Sequence, residues 1–413
     1  MDFNDTTEEA SYRAEVNTWL SANAKLKTAD GSGTNEHDSE ALTQEYVDSA
    51  KAWQSTKADA GRACLRWPKE YGGQDAASIQ QVIWNQEEAK FDVPTGVFGI
   101  THGMCGPTVM AHGTPEQKEQ WIPGMLRGDN VWCQLFSEPA AGSDLAGLRT
   151  TAVRDGDDWV INGQKIWTTG AQWADWGIIV VRTDANVAKH AGLSYFVVDM
   201  HAEGVDVRPI HQINDSREFN EVFFSDVRIP DAYRLDDVGN GWKVALTTLM
   251  NERASIGGGG GGSALRDLIA LAAKTETGSG RAIDETAVRE RLADFLVRAR
   301  GLKYTGYRTL TALSQGRLPG PESSLGKLVG AVLGQDMAAF ALDLQSMGGA
   351  VADPACAVDG GVWHEQYLGF PGLRIAGGTD EVLRNIIAER VLGLPPEIRV
   401  DKGIPFRDIP TGN

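Results

Sequence analysis

The 413-residue sequence contains few cysteines and no long apolar run. Its four cysteines, Cys64, Cys105, Cys133 and Cys356, are widely spaced and include no CxxC pair. This spacing argues against a disulfide framework and a cysteine metal site, so we expect reduced, buried thiols. No apolar run approaches the roughly 20 residues that span a bilayer, and the acidic first residues contain no hydrophobic signal core. We therefore expect a cytoplasmic protein.

Positive charge is also scarce, because 39 Lys and Arg residues stand against 56 Asp and Glu residues and give a net charge of −17. Nucleic acids and anionic membranes bind basic surfaces, so this composition disfavours both as partners. An anionic substrate would need a local basic pocket. Hydrophobic residues make up 42% of the chain, which suits a globular protein with two or three domains.

The periodicity of the sequence changes twice along the chain. Apolar residues at helical spacing predict helices over 6–23, about 39–60, and two or three more within 77–128. Thr6 with Glu9 has the pattern of a capping box, and Pro115 after Thr114 marks another helix start. From residue 131 short stretches rich in β-branched residues predict six to eight strands. Helical spacing returns near residue 239.

Two dipeptides within the β-rich region have the composition of hairpin turns. Asp155-Gly156 separates two β-branched stretches, and Asn162-Gly163 follows soon after. Both residue pairs favour the left-handed conformations of two-residue hairpin loops. We therefore predict a turn at each.

Six consecutive glycines, Gly257 to Gly262, fall inside a region whose spacing otherwise predicts one long helix over about 240–274. Each glycine costs a helix roughly 0.5–1 kcal/mol relative to alanine. One interpretation is that the helix breaks there. The other is that side chains are missing because an acyl chain or another backbone lies against this surface, and we favour such a widened channel.

Two stretches have the composition of a ligand site. Ser137-Glu138-Pro139-Ala140-Ala141-Gly142-Ser143-Asp144 carries little bulk, so a ligand can approach its backbone N–H groups. Lys165-Ile166-Trp167-Thr168-Thr169-Gly170 offers a flat aromatic and two hydroxyls, a suitable wall for a planar cofactor. Either stretch alone is also compatible with an ordinary turn.

In this order, the two stretches closely resemble the flavin-binding signature of the acyl-CoA dehydrogenase family. Gly377-Gly378-Thr379-Asp380-Glu381, with the segments 384–386 and 389–393, resembles its closing motif. The resemblance covers most of the chain, with 1–60 and 270–290 poorly matched. It implies a three-domain α+β fold with an N-terminal α-helical domain (1–130), a middle β-barrel-like domain (131–238) and a C-terminal four-helix bundle (239–413).

The resemblance also implies an activity. The family oxidises an acyl-CoA thioester to the trans-2-enoyl-CoA with FAD and passes the electrons to an electron-transfer flavoprotein. This chemistry needs a base for the α-proton, donors for the developing enolate oxygen and a hydride acceptor, which no side chain can be. We expect an oligomeric enzyme of fatty acid or lipid metabolism.

Glu252 is the predicted catalytic base. The family places its glutamate either before the C-terminal Gly-Thr, where this chain has Gly377, or on the helix after the β domain, where it has Glu252-Arg253. Independently, Ala245, Leu249, Glu252 and Ile256 share one helical face, which predicts a desolvated carboxylate with a raised pKa. The alternatives are a surface glutamate beside Arg253, or a base at Asp380 or Glu381, which more plausibly begin a helix.

The resemblance assigns the remaining site residues. The backbone N–H of Gly377 is expected to bind the thioester carbonyl. The expected FAD contacts are Gln134, Phe136, Ser137, Gly142, Ser143, Trp167, Thr169, Arg281, Gln345, Gly348, Gly349, Gly378, Thr379 and Glu381. The expected substrate contacts are Ser143, Leu249, Arg253 and Gly257.

The segment 281–285 departs from the family pattern. Members usually have Arg-x-x-Phe-Gly there, which contacts the FAD of a neighbouring subunit, whereas this chain has Arg281-Ala282-Ile283-Asp284-Glu285. Carboxylates near a diphosphate are repulsive. The assembly could therefore be a homo-oligomer that holds FAD differently or an α2β2 hetero-oligomer. Two alternative functions stay open: a partner subunit that only completes a relative's site, and a flavin monooxygenase.

Overall fold

The computed structural model describes residues 5–27, 43–256, 262–314 and 320–410. The chain forms two compact units, one of Met1–Glu252 with Ile398–Asn413 and one of Arg253–Glu397.

The first unit begins with helices. They are α1 (Thr7–Asn23), α2 (Gln44–Asp59), α3 (Ser78–Glu88), α4 (Gly106–His112), which continues a π-helical turn at Thr101–Cys105, and α5 (Pro115–Arg127). Short strands β1 (Lys25–Leu26) and β2 (Phe91–Asp92) pair antiparallel. The predicted capping box at Thr6 and Glu9 is present, and Thr114 caps α5 with Pro115 at its first position. These two predicted helix starts are confirmed. The helix predicted over about 39–60 is α2, which begins at Gln44 with Thr43 as its cap; residues 39–42 lie outside the described ones.

An eight-stranded sheet follows. Its strands are β3 (Trp132–Leu135), β4 (Thr151–Asp155), β5 (Asp158–Thr169), β6 (Trp176–Arg182), β7 (Leu193–Asp199), β8 (Val205–Pro209), β9 (Phe219–Pro230) and β10 (Arg234–Leu235). The order is β10-β7-β6-β4-β5-β9-β8, with β3 parallel to β6. The predicted β region of six to eight strands is confirmed.

The sheet separates two hydrophobic clusters. Ile178 and Val180 of β6 contribute to one cluster, and Ile179 and Val181 to the other. Because successive side chains point to opposite faces, a strand with a core on each side has no polar face. This explains why β6 and β7 are largely apolar rather than alternating.

One predicted turn is wrong. Asp155-Gly156 does join β4 and β5, with Gly156 at φ 66°. Asn162-Gly163, however, lies inside β5, where the pairing with β9 shifts register between Ile161 and Gly163. Gly163 has φ 149°, and a Cβ there would lie 2.5 Å from Thr150 Oγ1. The glycine therefore serves a β-bulge and a close strand approach, which favour the same residue type as a hairpin turn.

Helix α6 (Gly241–Ile256) follows the sheet. The second unit contains α7 (Gly262–Lys274), α8 (Thr286–Ser314), α9 (Ser324–Leu344), α10 (Val362–Leu373) and α11 (Asp380–Arg390), with the short pair β11 (Glu276–Thr277) and β12 (Gly280–Arg281). Gly257 to Gly261 lie outside the described residues, so the interpretation of the glycine run stays a prediction.

The core of the second unit surrounds α9. Leu333, Met337 and Ala341 of this helix pack with Phe295 and Trp363. The segment Pro321–Leu344 has the length and composition of a membrane span. Leu333, Met337, Ala338 and Ala341 within it are buried in the core of the second unit.

Candidate functional site

A buried ion pair joins the two predicted flavin stretches. Lys165 Nζ donates to Glu138 Oε1 at 2.9 Å and to the carbonyl oxygen of Phe136 at 3.0 Å. Lys165 is fully buried and Glu138 is 8% exposed. The backbone adds a further link, since Ile166 N donates to the Ser137 carbonyl at 2.8 Å. The two stretches are therefore held side by side.

Glu138 has enough donors to keep its charge. Its Oε2 accepts from Arg149 N at 2.6 Å and its Oε1 from Thr150 N at 2.9 Å. Burial raises the pKa of Glu138, but Lys165 and these donors outweigh it and leave the pKa below its usual range. Burial lowers the pKa of Lys165 to about 8, against the opposing effect of Glu138. Sequence reasoning missed both roles, although two opposite charges in otherwise small and apolar motifs are a usable signal.

The end of β5 presents Trp167 outward. The pairing with β9 shifts register between Lys165 and Thr168, and Trp167 adopts φ 60°. Its side chain is 56% exposed and lies edge-on to Phe219, at 5.9 Å between ring centroids. Thr169 is exposed, whereas Thr168 Oγ1 is buried with no hydrogen-bond partner among the described residues. The second stretch thus offers a flat ring and an unsatisfied buried hydroxyl.

The structure brings the predicted base to β3, the strand that leads into the first flavin stretch. Gln134 Nε2 lies 3.4 Å from Glu252 Oε2, and the other amide atom, Gln134 Oε1, is buried with no partner among the described residues. Glu252 is half-buried. Its predicted raised pKa stays a prediction.

Helix α6 is fixed in front of the sheet by buried hydroxyls. Thr248, one turn before Glu252, is fully buried, and its Oγ1 lies 2.9 Å from both Thr108 Oγ1 and Tyr195 Oη. His112 Nε2 lies 2.8 Å from Thr247 Oγ1. The predicted face is present, since Ala245 is buried and Leu249 packs on the core. The threonines were missed because helical periodicity counts apolar residues.

The glycine of the first stretch leaves open space. A Cβ at Gly142 would meet no described atom within 4 Å, and Ser143 is exposed beside it. Ser137 is half-buried. The Phe136 side chain belongs to the core and packs edge-on to Tyr195, so only its backbone is directed to the site residues.

The second unit contains the closing motif. Gly377 and Gly378 have φ 62° and 92°, in the left-handed region that favours glycine. Thr379 caps α11 and accepts from Val382 N at 3.2 Å, while Lys327 Nζ donates to the Gly378 carbonyl at 2.5 Å.

The rival carboxylates begin α11, as expected. Asp380 is buried and pairs with Arg374 at 2.8 Å, and Glu381 is exposed and lies 3.6 Å from Arg384. Acidic residues stabilise the first turn of a helix, so a structural role accounts for both.

The remaining predicted nucleotide contacts also lie in the second unit. Both amide atoms of Gln345 are buried with no partner among the described residues. A Cβ at Gly349 would lie 2.3 Å from the Leu342 carbonyl, and His364 Nε2 lies 2.8 Å from the Gly349 carbonyl oxygen. Gly348 is half-buried beside them. This loop therefore holds an unsatisfied amide on a backbone that requires glycine.

The other three predicted site residues are Arg281, Arg253 and Gly257. Arg281 pairs with Asp284 of the same chain, with Nε 2.9 Å from Oδ2. The side chain of Arg253 and all of Gly257 lie outside the described residues. Across the described ranges, no group of His, Cys, Asp and Glu side chains could hold a metal ion.

Comparisons with known proteins show the family of the chain. Profiles described as the N-terminal, middle and C-terminal domains of acyl-CoA dehydrogenase match residues 9–129, 133–227 and 239–392. Acyl-CoA dehydrogenase IpdE1 of Mycolicibacterium smegmatis is 36% identical over 95% of this chain and 99% of its own length. The protein of the same name from Mycobacterium tuberculosis is 37% identical over 94% and 98%.

Solved structures show the same likeness. The Tcur3481-Tcur3483 steroid ACAD matches with a TM-score of 0.80 and 28% identity, over 96% of this chain and all of that one. The ChsE4-ChsE5 complex from Mycobacterium tuberculosis matches with a TM-score of 0.77 and 30% identity over the same shares. The chain belongs to the acyl-CoA dehydrogenase family and is a flavoprotein oxidoreductase with that family's three-domain fold.

Proposed function

We propose that the protein is an FAD-dependent dehydrogenase that converts an acyl-CoA thioester to its trans-2-enoyl-CoA. Electrons would pass to an electron-transfer flavoprotein. The reaction would take place in the cytoplasm, in keeping with the four cysteines, all of which are free thiols.

The described residues fit a flavin. Trp167 offers an exposed flat surface, and the buried atoms Thr168 Oγ1 and Gln134 Oε1 lack partners that a polar heterocycle could supply. In the second unit, the Gln345 amide lacks partners in the same way, as expected for a residue that contacts the nucleotide end. FAD, when bound, supplies the hydride acceptor that the side chains do not provide.

Glu252 would act as the base. Its carboxylate removes the α-proton of the thioester and holds it at Oε1 or Oε2 while the Cα–Cβ double bond forms. The backbone N–H of Gly377 stays the predicted donor to the thioester oxygen, a role that needs no side chain. Ser143 and Leu249 stay the predicted substrate contacts, together with Arg253 and Gly257.

The single observation that carries the proposal is the contact between Gln134 and Glu252. Gln134 belongs to the strand that leads into the first flavin stretch, and Glu252 comes from a helix more than 100 residues later in the chain. A glutamate that only faced solvent would not be expected to contact this strand. A carboxylate that must reach a thioester beside a flavin is expected to lie there.

The names of the relatives support a bulky substrate. Tcur3481-Tcur3483 is described as a steroid ACAD, and six consecutive glycines in this chain favour a wide acyl channel. We propose a ring-bearing or branched acyl-CoA over a short straight one.

A second proposal concerns assembly. Arg281 is neutralised by Asp284, and Glu285 accepts from Thr277 and Ser279, so this segment offers little free positive charge to a diphosphate. Two of the structural relatives are pairs of different chains. We therefore favour an α2β2 assembly over a homo-oligomer, with the partner chain completing the site of a neighbour.

Anaerobic titration tests the function. The purified protein, loaded with FAD, is titrated with straight-chain, branched and steroid-bearing acyl-CoAs while flavin absorbance is followed. The proposal expects bleaching by at least one bulky acyl-CoA and formation of the enoyl-CoA. A protein that takes up no FAD, alone or with a partner chain, would be a partner subunit only. Oxygen consumption with reduced flavin, and no enoyl product, would indicate a monooxygenase.

A further inference from the structure

The C-terminal tail, residues 398–410, belongs to the first unit although the preceding residues form the second. It lies beyond the part that the family profiles match, which ends at residue 392. The tail lies along the β6–β7 loop: Phe406 N donates to the Val187 carbonyl at 2.8 Å, and Arg407 N to the Ala185 carbonyl at 3.0 Å. These contacts hold the backbone of Phe406 against the loop.

Phe406 covers a buried arginine that supports the loop of the first flavin stretch. Arg182 is 4% exposed, and its guanidinium donates to the carbonyls of Ala146 at 2.6 Å and Leu148 at 3.1 Å. Its Cζ lies 3.3 Å from the centroid of the Phe406 ring. Burial lowers the pKa of Arg182 to about 10. Stacking on an aromatic face stabilises such a cation.

A second tail contact reaches the same loop. Lys189 Nζ binds both carboxylate oxygens of Asp144, at 2.9 and 3.0 Å, and also binds Asp401 of the tail. Asp144 directly follows Ser143, a predicted contact of both FAD and substrate. The tail therefore touches both side chains, Arg182 and Lys189, that hold loop 142–148.

We propose that Phe406 and Asp401 are positioning residues that hold loop 142–148 in its ligand-binding conformation, acting through Arg182 and Lys189. The inference rests on the proposed function, because it takes Gly142 and Ser143 as ligand contacts. Without Phe406, one face of the Arg182 guanidinium is open to water and its hold on the two carbonyls weakens.

Two matched pairs of variants test this role. Phe406→Ala is compared with Ile409→Ala, which truncates another apolar residue of the tail, and Phe406→Tyr restores the ring. Asp401→Asn is compared with Asp408→Asn, whose carboxylate lies 3.6 Å from exposed Arg407 instead. Thermal melting of each full-length variant shows whether it is folded.

Amide hydrogen exchange of residues 142–148 is the first readout. We expect faster exchange in Phe406→Ala and Asp401→Asn, and wild-type exchange in Ile409→Ala, Asp408→Asn and Phe406→Tyr. The second readout is the FAD dissociation constant, which should rise about 3- to 30-fold in Phe406→Ala, the range that a cation–π contact spans. With saturating FAD, the KM for acyl-CoA should rise while kcat is retained.

Unchanged exchange in Phe406→Ala and Asp401→Asn would overturn the inference. So would faster exchange with an unchanged FAD dissociation constant and KM, because the loop would then be held for stability alone. A wild-type protein that takes up no FAD, alone or with a partner chain, contradicts the proposed function instead. The exchange of loop 142–148 then still tests whether the tail holds this loop.

Discussion

Lys165 and Glu138 form an ion pair in which each charge depends on the other. Both side chains are buried, and moving an ion from water into a protein interior carries a penalty of several kcal/mol. The pair recovers much of this penalty only while both partners are present. The ion pair therefore holds the two flavin stretches together. Its loss should lower both the stability of the protein and its affinity for FAD.

Lys165→Met should lower the free energy of unfolding by about 3–5 kcal/mol, because Glu138 is left buried without its cation. The double variant Lys165→Met/Glu138→Gln should recover part of that loss. Urea denaturation measures both. Lys90→Met is the control: Lys90 also contacts a buried glutamate, Glu87, but is itself 53% exposed, and Glu87 keeps Arg13. Equal losses in Lys165→Met and Lys90→Met would contradict this account.

The lowered pKa of Lys165 gives a pH dependence. Lys165 loses its proton near pH 8 in the folded protein, so its hold on Glu138 weakens above that pH. We expect FAD affinity to fall several-fold between about pH 7 and pH 9.5, with a midpoint near 8. Equilibrium dialysis measures it, and the midpoint should disappear in Lys165→Met.

The contribution of Lys165 to stability changes with pH in the opposite direction to the FAD affinity. The unfolded lysine titrates near about 10.4, so between pH 8 and that value the unfolded chain binds more protons than the folded one. The contribution of Lys165 to the unfolding free energy therefore rises with pH in this window. If the FAD affinity and the melting temperature fell together above pH 8, the pH dependence of FAD binding could not be assigned to Lys165.

Single residues also show where sequence reasoning stops. The face that carries Glu252 was predictable from the apolar spacing of Ala245 and Leu249. Thr248 was not, because nothing in a sequence tells whether a helical threonine bonds only its own helix or, as here, bonds the Val244 carbonyl of its helix and also contacts Thr108 and Tyr195 from elements far away in the chain. Lys165 was passed over for a similar reason, since lysines are almost always exposed.

At the scale of elements, the end of β5 is built to present Trp167. A non-glycine residue at φ 60° costs of order 1–3 kcal/mol and persists only where its surroundings impose it, and such strain concentrates at ligand sites. The register shift between Lys165 and Thr168 supplies the local twist. The strand is thus bent where the flavin ring is expected.

Trp167→Ala should weaken FAD binding about 2- to 12-fold, because the stacking surface is lost. Trp167→Phe should retain most of the affinity. Equilibrium dialysis with FAD measures both, and circular dichroism confirms that the sheet is intact. If Trp167→Ala kept the wild-type FAD occupancy, Trp167 would not be a flavin contact.

Helix α6 is held by hydroxyls as well as by apolar contacts. Thr248→Val keeps the shape but leaves the hydroxyls of Thr108 and Tyr195 without their shared partner, which should cost about 1–3 kcal/mol of stability. Because Glu252 lies one turn further on, flavin reduction by acyl-CoA should slow more than FAD binding weakens. Thr248→Ser should restore both, as measured by urea denaturation and stopped-flow absorbance. A valine variant that reduces flavin at the wild-type rate would contradict the positioning role.

The elements were predictable where one local signal dominates. The capping box of α1, Pro115 at the start of α5 and the Asp155-Gly156 hairpin were all confirmed. Asn162-Gly163 misled because a bulge and a turn use the same residues, and only the pairing with β9 separates them. The position of the tail on the β6–β7 loop was not predictable, since its hydrogen bonds use backbone groups that every sequence has.

At the scale of the whole molecule, the changes in periodicity near residues 130 and 239 predicted three regions, and the family's three-domain fold is what the comparisons show. The strongly acidic composition favours no basic binding surface, and it says nothing of where a flavin would lie. The expected flavin contacts lie in and around two short stretches. The Lys165–Glu138 ion pair joins these stretches, Glu252 lies beside Gln134, and the tail reaches the first stretch through Arg182 and Lys189.

The account as a whole depends on Glu252 as the base, and single-turnover flavin reduction tests it most directly. FAD-loaded wild-type protein and Glu252→Gln are mixed anaerobically with an acyl-CoA that bleaches the wild type, with Glu290→Gln, a surface glutamate of α8, as the control. The account predicts that Glu252→Gln keeps its FAD but reduces it about 10²- to 10⁴-fold more slowly, while the control matches the wild type. A Glu252→Gln variant that reduces its flavin at a rate near that of the wild type would contradict it.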